Sequence, residues 1–258
     1  MTRIALRILV AIALWEGAGR LLSEAFVLAP PSAIAVYLVG NVGLMARALG
    51  ETLGNAAVGY VLGNGVAVAL AALALIWPRS DGAIRGFALL IFCLPLVATG
   101  PILRVIFGPG PWPQITLAAL AVYYTTLIPL LVGLRAVPQA WLDLVRSYGR
   151  GAVAALVRVR ARAALPYLVA GLQIAAPAAF LGAMVGDFTG AERGMGVLTI
   201  RAMRGMNTDM TWALATVATA VAMLGYLAIG AAAAPFRARE FADHGAQDGG
   251  GRGRPVPG

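Results

Sequence analysis

The polar interruption at the centre of the chain reads Pro138-Gln-Ala-Trp-Leu-Asp-Leu-Val-Arg-Ser-Tyr-Gly149 and continues as Arg150-Gly-Ala-Val-Ala-Ala-Leu-Val-Arg-Val-Arg-Ala-Arg-Ala-Ala-Leu-Pro166. Together with Arg135 it holds six of the twenty arginines, whereas the sequence on either side is mostly apolar. A segment with this many charges is too polar to cross lipid. We therefore expect apolar helices on both sides of an exposed loop, and a soluble partner bound to that loop.

Helical spacing divides this loop into two short amphipathic helices joined by a glycine turn. Positions i, i+3, i+4 and i+7 share one helix face, and in the first helix they are Trp141, Leu144, Val145 and Tyr148. Gly149 should end that helix, because glycine adopts the left-handed conformation of a helix terminus at little steric cost. The second helix should then run as far as Leu165, where Pro166 stops it.

Composition identifies the remainder as an all-α integral membrane protein. Of the 258 residues, 60% are hydrophobic and only 12% are charged, against about 25% charged residues in a typical soluble domain. About 20 apolar residues are needed to cross a bilayer. Six segments meet that need, at residues 4–22, 56–76, 87–106, 112–134, 166–186 and 211–234. The first is the weakest because Glu16 interrupts it, and a signal peptide is the alternative interpretation of this segment.

The distribution of arginine predicts the orientation in the membrane. If the N-terminus is cytoplasmic, fourteen of the twenty arginines fall on the cytoplasmic side, in the segments 1–7, 79–85, 135–162 and 237–254. Cytoplasmic loops carry such an excess of positive charge. We therefore expect a multi-pass membrane protein with both termini and the 138–165 loop in the cytoplasm.

Several kinds of chemistry are excluded by residues that the chain lacks. All twenty basic residues are arginine, and a P-loop needs a lysine on the nucleotide phosphates. Cys93 and His244 are the single cysteine and the single histidine, so no zinc-type ligand set can be assembled. No acid and base cluster suitable for a membrane enzyme stands in or beside the spans. We expect no catalytic residue, no metal site and no cofactor.

Prolines and polar residues predict the details of the spans. Paired prolines at 30–31 precede a helical stripe over residues 34–45, which suggests a helix at the outer membrane surface. Pro95 and Pro101 should bend the third span. Asp187 is expected at a membrane interface rather than in a proton relay. The polar set over residues 123–126 either lines a path or bonds neighbouring helices, and the sequence leaves both open.

These features together resemble the permease subunit of bacterial ABC importers of the type I architecture, in the branch that serves nitrate, sulfonate, taurine and related solutes. The resemblance covers about residues 1–238, as a single transmembrane domain followed by a disordered cytoplasmic tail over 239–258. It rests on Ala29-Pro-Pro-Ser32, on Thr52-Leu-Gly-Asn-Ala-Ala-Val-Gly-Tyr60, on Leu94-Pro95 through Pro101 to Phe107-Gly108, and on the central loop.

The central loop is the most specific part of the resemblance. Aligned on Gly149, the family's acidic position falls on Asp143 and its isoleucine on Val159, and Ala163-Ala-Leu-Pro-Tyr-Leu-Val-Ala-Gly-Leu172 matches the continuation. The chain departs from the pattern at Asp143-Leu144-Val145, where the family has Glu-Ala-Ala, and at Ala161-Arg162, where it has Leu-Pro. The resemblance implies coupling to an ATPase through Trp141, Asp143, Leu144, Val145, Tyr148, Gly149 and Val159.

The same resemblance implies the partners of the chain. Two copies would form the path, two ABC ATPase subunits would grip the loops, and an external binding protein would deliver a small solute, which the sequence does not identify. Two other functions are weighed against it. An ion-driven secondary transporter usually needs intramembrane acids and inverted repeats, whereas only Glu16 and Asp187 come near the spans. A membrane scaffold would recruit a soluble partner without transport.

Overall fold

The computed structural model describes residues 2–22, 27–148 and 159–249. These residues form ten α-helices and no strand, which confirms the all-α prediction for this part of the chain. The helices are α1 Thr2–Leu21, α2 Pro31–Gly40, α3 Val42–Ile76, α4 Asp81–Phe92, α5 Leu96–Phe107, α6 Trp112–Arg135, α7 Gln139–Ser147, α8 Ala161–Asp187, α9 Met195–Arg204 and α10 Thr208–Gly249.

Four helices of the described chain are long and apolar enough to cross a membrane, and a fifth span is obtained if α4 and α5 count as one. The four are α3, α6, α8 and α10 over its stretch Thr208–Ala234. They contain the predicted spans 56–76, 112–134, 166–186 and 211–234. The chain is therefore a multi-pass membrane protein, with four or five of the six expected spans supported by length and composition.

The predicted first span is a helix, but its charges set it apart from the four apolar helices. α1 carries Arg3, Arg7, Glu16 and Arg20 among its 20 residues. Glu16 accepts hydrogen bonds from the backbone N–H of Ser32 at 3.0 Å and from its hydroxyl at 2.6 Å. Glu16 therefore satisfies a free amide in the first turn of α2, which accounts for an acid in an otherwise apolar helix.

The predicted third span bends sharply. α4 and α5 meet at 95° across residues 93–95. Pro95 precedes α5 in an extended conformation, with φ of −64° and ψ of 110°. A proline there cannot donate the backbone hydrogen bond that would continue α4. The expected bend is confirmed, and it is large enough to separate the segment into two helices.

Three helices form the centre of the molecule, where α6 packs against both α3 and α8. Half of the apolar window of α6 is buried, against 17% for α10. Small residues allow the close approach: a Cβ at Gly63 of α3 would lie 2.6 Å from the carbonyl oxygen of Ala119, and one at Gly182 of α8 would lie 2.8 Å from that of Leu117. Such small-residue contacts are typical of packed membrane helices.

Two local predictions were wrong. The helical stripe over 34–45 is not one helix, because the chain breaks at Asn41 between α2 and α3. The Asn41 side-chain amide donates to the Tyr37 carbonyl at 2.9 Å, a local bond that competes with helix continuation. Pro166 does not stop a helix, since α8 runs through it to Asp187. Proline is tolerated inside membrane helices where neighbouring groups satisfy the freed backbone.

The C-terminal helix continues further than the boundary proposed from sequence. α10 extends to Gly249 and so includes residues 239–249, which were assigned to a disordered tail. Only two glycines, Gly245 and Gly249, and no proline follow Pro235 in this stretch, so few residues oppose a helix there. Residues 250–258 lie outside the described part, and disorder there stays a prediction.

Candidate functional site

The first helix of the central loop is present where the periodicity placed it. α7 spans Gln139–Ser147. Its first turn is closed by the Trp141 N–H, which donates to the Pro138 carbonyl at 3.1 Å, and its last turn by the Tyr148 N–H, which donates to Leu144 at 3.3 Å. Pro138 suits this position, because the first residues of a helix lack intrahelical acceptors and proline has no N–H to satisfy.

The predicted stripe of α7 faces away from the protein. Trp141 is 59% exposed, Leu144 is 55% exposed and Tyr148 is 75% exposed. Val145 is half-buried and Asp143 is exposed. By contrast the neighbouring Leu142 is only 5% exposed. We call Trp141, Leu144, Val145 and Tyr148 the α7 stripe.

Such a stripe is unusual on a polar helix. Large exposed apolar side chains that cluster on one short element mark an interaction surface more often than singly scattered ones do. Tryptophan and tyrosine are also the residue types most enriched at energetically dominant interface positions. The arrangement can therefore bind a hydrophobic groove of another molecule.

The other predicted loop residues are only partly described. Gly149 and the expected second helix from about residue 153 lie outside the described residues. Val159 is half-buried and comes just before α8. The structure thus brings together the stripe and Asp143 on α7, while the position of Gly149 relative to them stays a prediction.

A cluster of charges lies at the base of α7. Asp81 is the first residue of α4, and Arg135 is the last residue of α6. One carboxylate oxygen of Asp81 accepts a hydrogen bond from Arg135. The same oxygen lies 3.2 Å from the Arg85 Nε, which also donates to it. Three residues separate Arg135 from α7. The ends of α3 and α6, the start of α4 and α7 therefore meet at one end of the bundle, which we call the α7 end.

A buried acid lies at the opposite end. Asp187 is the last residue of α8 and is only 1% exposed, whereas its position at a membrane interface stays a prediction. Its Oδ2 accepts hydrogen bonds from the Thr52 hydroxyl at 2.7 Å and from the Gly196 N–H at 3.2 Å. Thr52 also accepts from the Met195 N–H at 2.8 Å. Asp187 thus joins α8, α3 and α9, because a buried carboxylate must be hydrogen-bonded.

This junction explains the Gly194-Met-Gly196 motif. Gly194 has φ of +137°, and a Cβ there would lie 2.3 Å from Asp187 Oδ2. A Cβ at Gly196 would lie 2.2 Å from the Met184 carbonyl oxygen. The sequence analysis named Asp187 without a partner and quoted Thr52 only as the first residue of a longer segment, so it missed the role of Thr52 here. The only available signal was a threonine placed inside an apolar helix.

An open cavity of about 520 Å³ adjoins the same end. Its walls come from α3, α5, the start of α6 and the connection between α8 and α9. Its lining includes two acids, two arginines and two amides: Glu51, Glu192, Arg104, Arg193, Asn55 and Gln114.

The polar set over residues 123–126 bonds neighbouring helices. The buried Tyr123 hydroxyl donates to the Ala88 carbonyl of α4, and the buried Thr126 hydroxyl donates to Asn64 of α3 at 2.6 Å. The Tyr124 ring stacks on Phe92 with centroids 4.2 Å apart. Of the two roles left open by the sequence, these contacts favour helix packing.

Comparison with known proteins places the chain in a family. Residues 63–239 match the model of the binding-protein-dependent transport system inner membrane component. The chain belongs to this family. It is also 31% identical over 205 residues to a probable ABC transporter permease protein of Haemophilus influenzae, across 79% of this chain and 83% of that relative.

Two further relatives carry more specific names. A formylaminopyrimidine transport permease of Halalkalibacterium halodurans is 24% identical over 222 residues, covering 86% of this chain and 89% of that protein. A putative aliphatic sulfonates transport permease of Bacillus subtilis is 24% identical over 207 residues, covering 79% and 75%. The resemblance to a type I ABC importer permease of the sulfonate-type branch is confirmed. The chain is the translocation subunit of an importer in the inner membrane, and the two alternatives are set aside.

Proposed function

We propose that the α7 stripe is the surface through which a separate ABC ATPase drives this permease. The observation that carries the proposal is the exposure of Trp141, Leu144 and Tyr148 on one short helix. A soluble ATPase with an apolar groove would cover the stripe. Asp143 would lie at the rim, where charges contribute less than buried aromatics.

The chain supplies no ATP site of its own in this proposal. It has no lysine, and the phosphate-binding loop of such ATPases depends on one. Nucleotide energy must then arrive through contacts, so the ATPase is an obligatory partner. A second copy of the chain, bound within the lipid bilayer, would complete the path, with both termini and α7 in the cytoplasm.

At the opposite end an external binding protein would deliver the solute to the charged cavity. The proposed solute class is a small sulfonate, nitrate or vitamin precursor, and one of the relatives is named for aliphatic sulfonates. Arg104 and Arg193 with Asn55 and Gln114 offer hydrogen-bond donors to such oxygen-rich molecules. Switching between two orientations of the path would require that nucleotide and loaded binding protein each favour one of them.

Co-expression with an ATPase and a binding protein from neighbouring reading frames would test this function. Purified together in nanodiscs, the complex should hydrolyse ATP faster when the loaded binding protein is added. Mass spectrometry of the purified binding protein would identify the solute. Failure of the ATPase to associate with the permease, while the permease is folded, would refute the proposed coupling.

A further inference from the structure

The α4–α5 pair is held to the rest of the molecule at few points. Each of its two helices has one buried residue, Ala88 in α4 and Gly100 in α5. Most of its large side chains are exposed, including Phe87 at 67% and Val105 at 86%. Because few residues of the pair are buried, the polar contacts that reach it contribute to where it lies.

One of these contacts is located at the base of α7. Asp81 begins α4 and is paired with Arg135, which ends α6. Both side chains are partly shielded, at 19% exposure for Asp81 and 43% for Arg135. Arg85 binds the same carboxylate oxygen, but it belongs to α4 itself and so links α4 to no other helix.

The link from Arg135 to α7 is short. Only Ala136, Val137 and Pro138 separate α6 from α7, and proline restricts the backbone at the last of these positions. Leu142, a few residues further on, is buried. A displacement of α7 should therefore be felt at Arg135, and through the ion pair at the start of α4.

At its other end the pair reaches the charged cavity. Arg104 of α5 lines that cavity, and its Nε would be 3.7 Å from a Cβ at Gly190 in the connection between α8 and α9. A movement that begins at the α7 end could thus alter the opposite end through the bent pair α4–α5.

We propose that Asp81 is a positioning residue that ties the α4–α5 pair to the base of α7, so that the pair follows α7 during the transport cycle. This inference rests on the proposed coupling of α7 to an ATPase. Partly exposed ion pairs are weak, and a contact can shift a conformational equilibrium only by its own free-energy difference between the two states. The expected effect is accordingly small and measurable.

Distance measurements between the two copies of the assembled complex would test the proposal. In a Cys93→Ser background, one preparation carries a spin label at Val105→Cys on α5 and a second carries it at Ser147→Cys on α7. Both are compared in nanodiscs without nucleotide and with ATP and vanadate. The Ser147 label reports the coupling to the ATPase, and the Val105 label reports whether α4–α5 follows.

We expect nucleotide to shift both distances in the otherwise unaltered protein. Asp81→Asn and Arg135→Gln should each reduce the ratio of shifted to unshifted populations at Val105 by up to about fivefold, which corresponds to about 1 kcal/mol. The double variant should show no further loss, since both changes remove the same contact. Arg135→Lys should retain most of the shift, because it keeps the charge.

Arg85→Gln is the matched control, because it removes a partner of the same oxygen without removing a link between helices. An equal loss in Arg85→Gln, or an unchanged Val105 shift in Asp81→Asn, would overturn the role of Asp81 while Ser147 still responds. No response at Ser147 in the unaltered protein would instead refute the proposed coupling, and with it this inference.

Discussion

Single residues of the α7 stripe are expected to carry unequal shares of partner binding. Trp141 presents a large exposed ring in the first turn of α7, whereas Asp143 departs from the glutamate of the family pattern. Buried aromatic anchors at interfaces cost about 2 kcal/mol or more when truncated, and rim charges cost less. The docking of the ATPase should therefore depend more on shape and apolar area than on one ion pair.

Trp141→Ala is predicted to weaken ATPase binding about 30-fold, and Asp143→Asn by less than tenfold. The amount of ATPase that co-purifies with each variant, measured at several ATPase concentrations in detergent, would give both effects. The reverse order, with the complex lost in Asp143→Asn and retained in Trp141→Ala, would show that the acidic position governs docking.

At the opposite end, Thr52 is predicted to hold the 188–198 connection in place. Thr52→Val keeps the shape but leaves Asp187 Oδ2 and the Met195 N–H with one bond fewer, at a cost of about 1–3 kcal/mol. Local opening should become at least about fivefold more frequent. Hydrogen exchange of the backbone over residues 188–198 would detect this.

Thr52→Ser is the control for that experiment, because it restores the hydroxyl. Exchange rates close to those of the unaltered protein are expected for it. Equal exchange in the valine and serine variants would mean that the hydroxyl does not stabilise this junction.

At the scale of elements, the turn after α7 should matter for coupling. Gly149 is outside the described residues, so its role stays a prediction from sequence. A side chain in a left-handed conformation costs about 1–2 kcal/mol, and a β-branched one costs more because its rotamers are restricted. Gly149→Val should lose most ATP-dependent uptake while the membrane helices still insert.

Uptake of the solute identified from the binding protein, in vesicles that contain matched amounts of permease, would measure this loss. Gly151→Val nearby would serve as a comparison for a glycine without an assigned turn. Normal uptake in Gly149→Val would remove the turn from the mechanism.

Elements also show how far local patterns predict structure. α7 follows its periodicity because its limits depend on nearby residues, Pro138 before it and the Tyr148 turn after it. The prediction of one helix over 34–45 was wrong because the Asn41 side chain bonds the Tyr37 carbonyl one turn earlier. The prediction for Pro166 was wrong in the opposite direction: a helix end was expected there, but α8 continues through it and packs against α6. Breaks in helices thus depend on whether tertiary contacts compensate for them.

For the whole molecule, we predict that the α7 end is cytoplasmic. In a Cys93→Ser background, Ser147→Cys should resist an impermeant thiol reagent in intact cells, whereas Glu192→Cys at the opposite end should react. Both positions are exposed, so access to the reagent depends on the side of the membrane. Labelling at Ser147 with protection at Glu192 would invert the orientation.

The sequence by itself determined the class of the protein and the position of its docking helix. Apolar runs, scarce charge and a charged central loop require membrane helices around an exposed segment, because lipid excludes charge and unpaired backbone groups. The absence of lysine excluded a P-loop, and the residue pattern of the loop pointed to the family that the comparisons confirmed.

Only the tertiary structure decided which distant residues meet. Thr52 and Asp187 are separated by 135 positions, and no local periodicity can pair them. Nor can it pair Asp81 with Arg135. The prolines predicted a bend between α4 and α5, but not its size of 95°. A buried polar group must find a partner wherever the packing of the helices brings one close. Partner choice is therefore a property of the assembled bundle, whereas helix periodicity is a property of each segment.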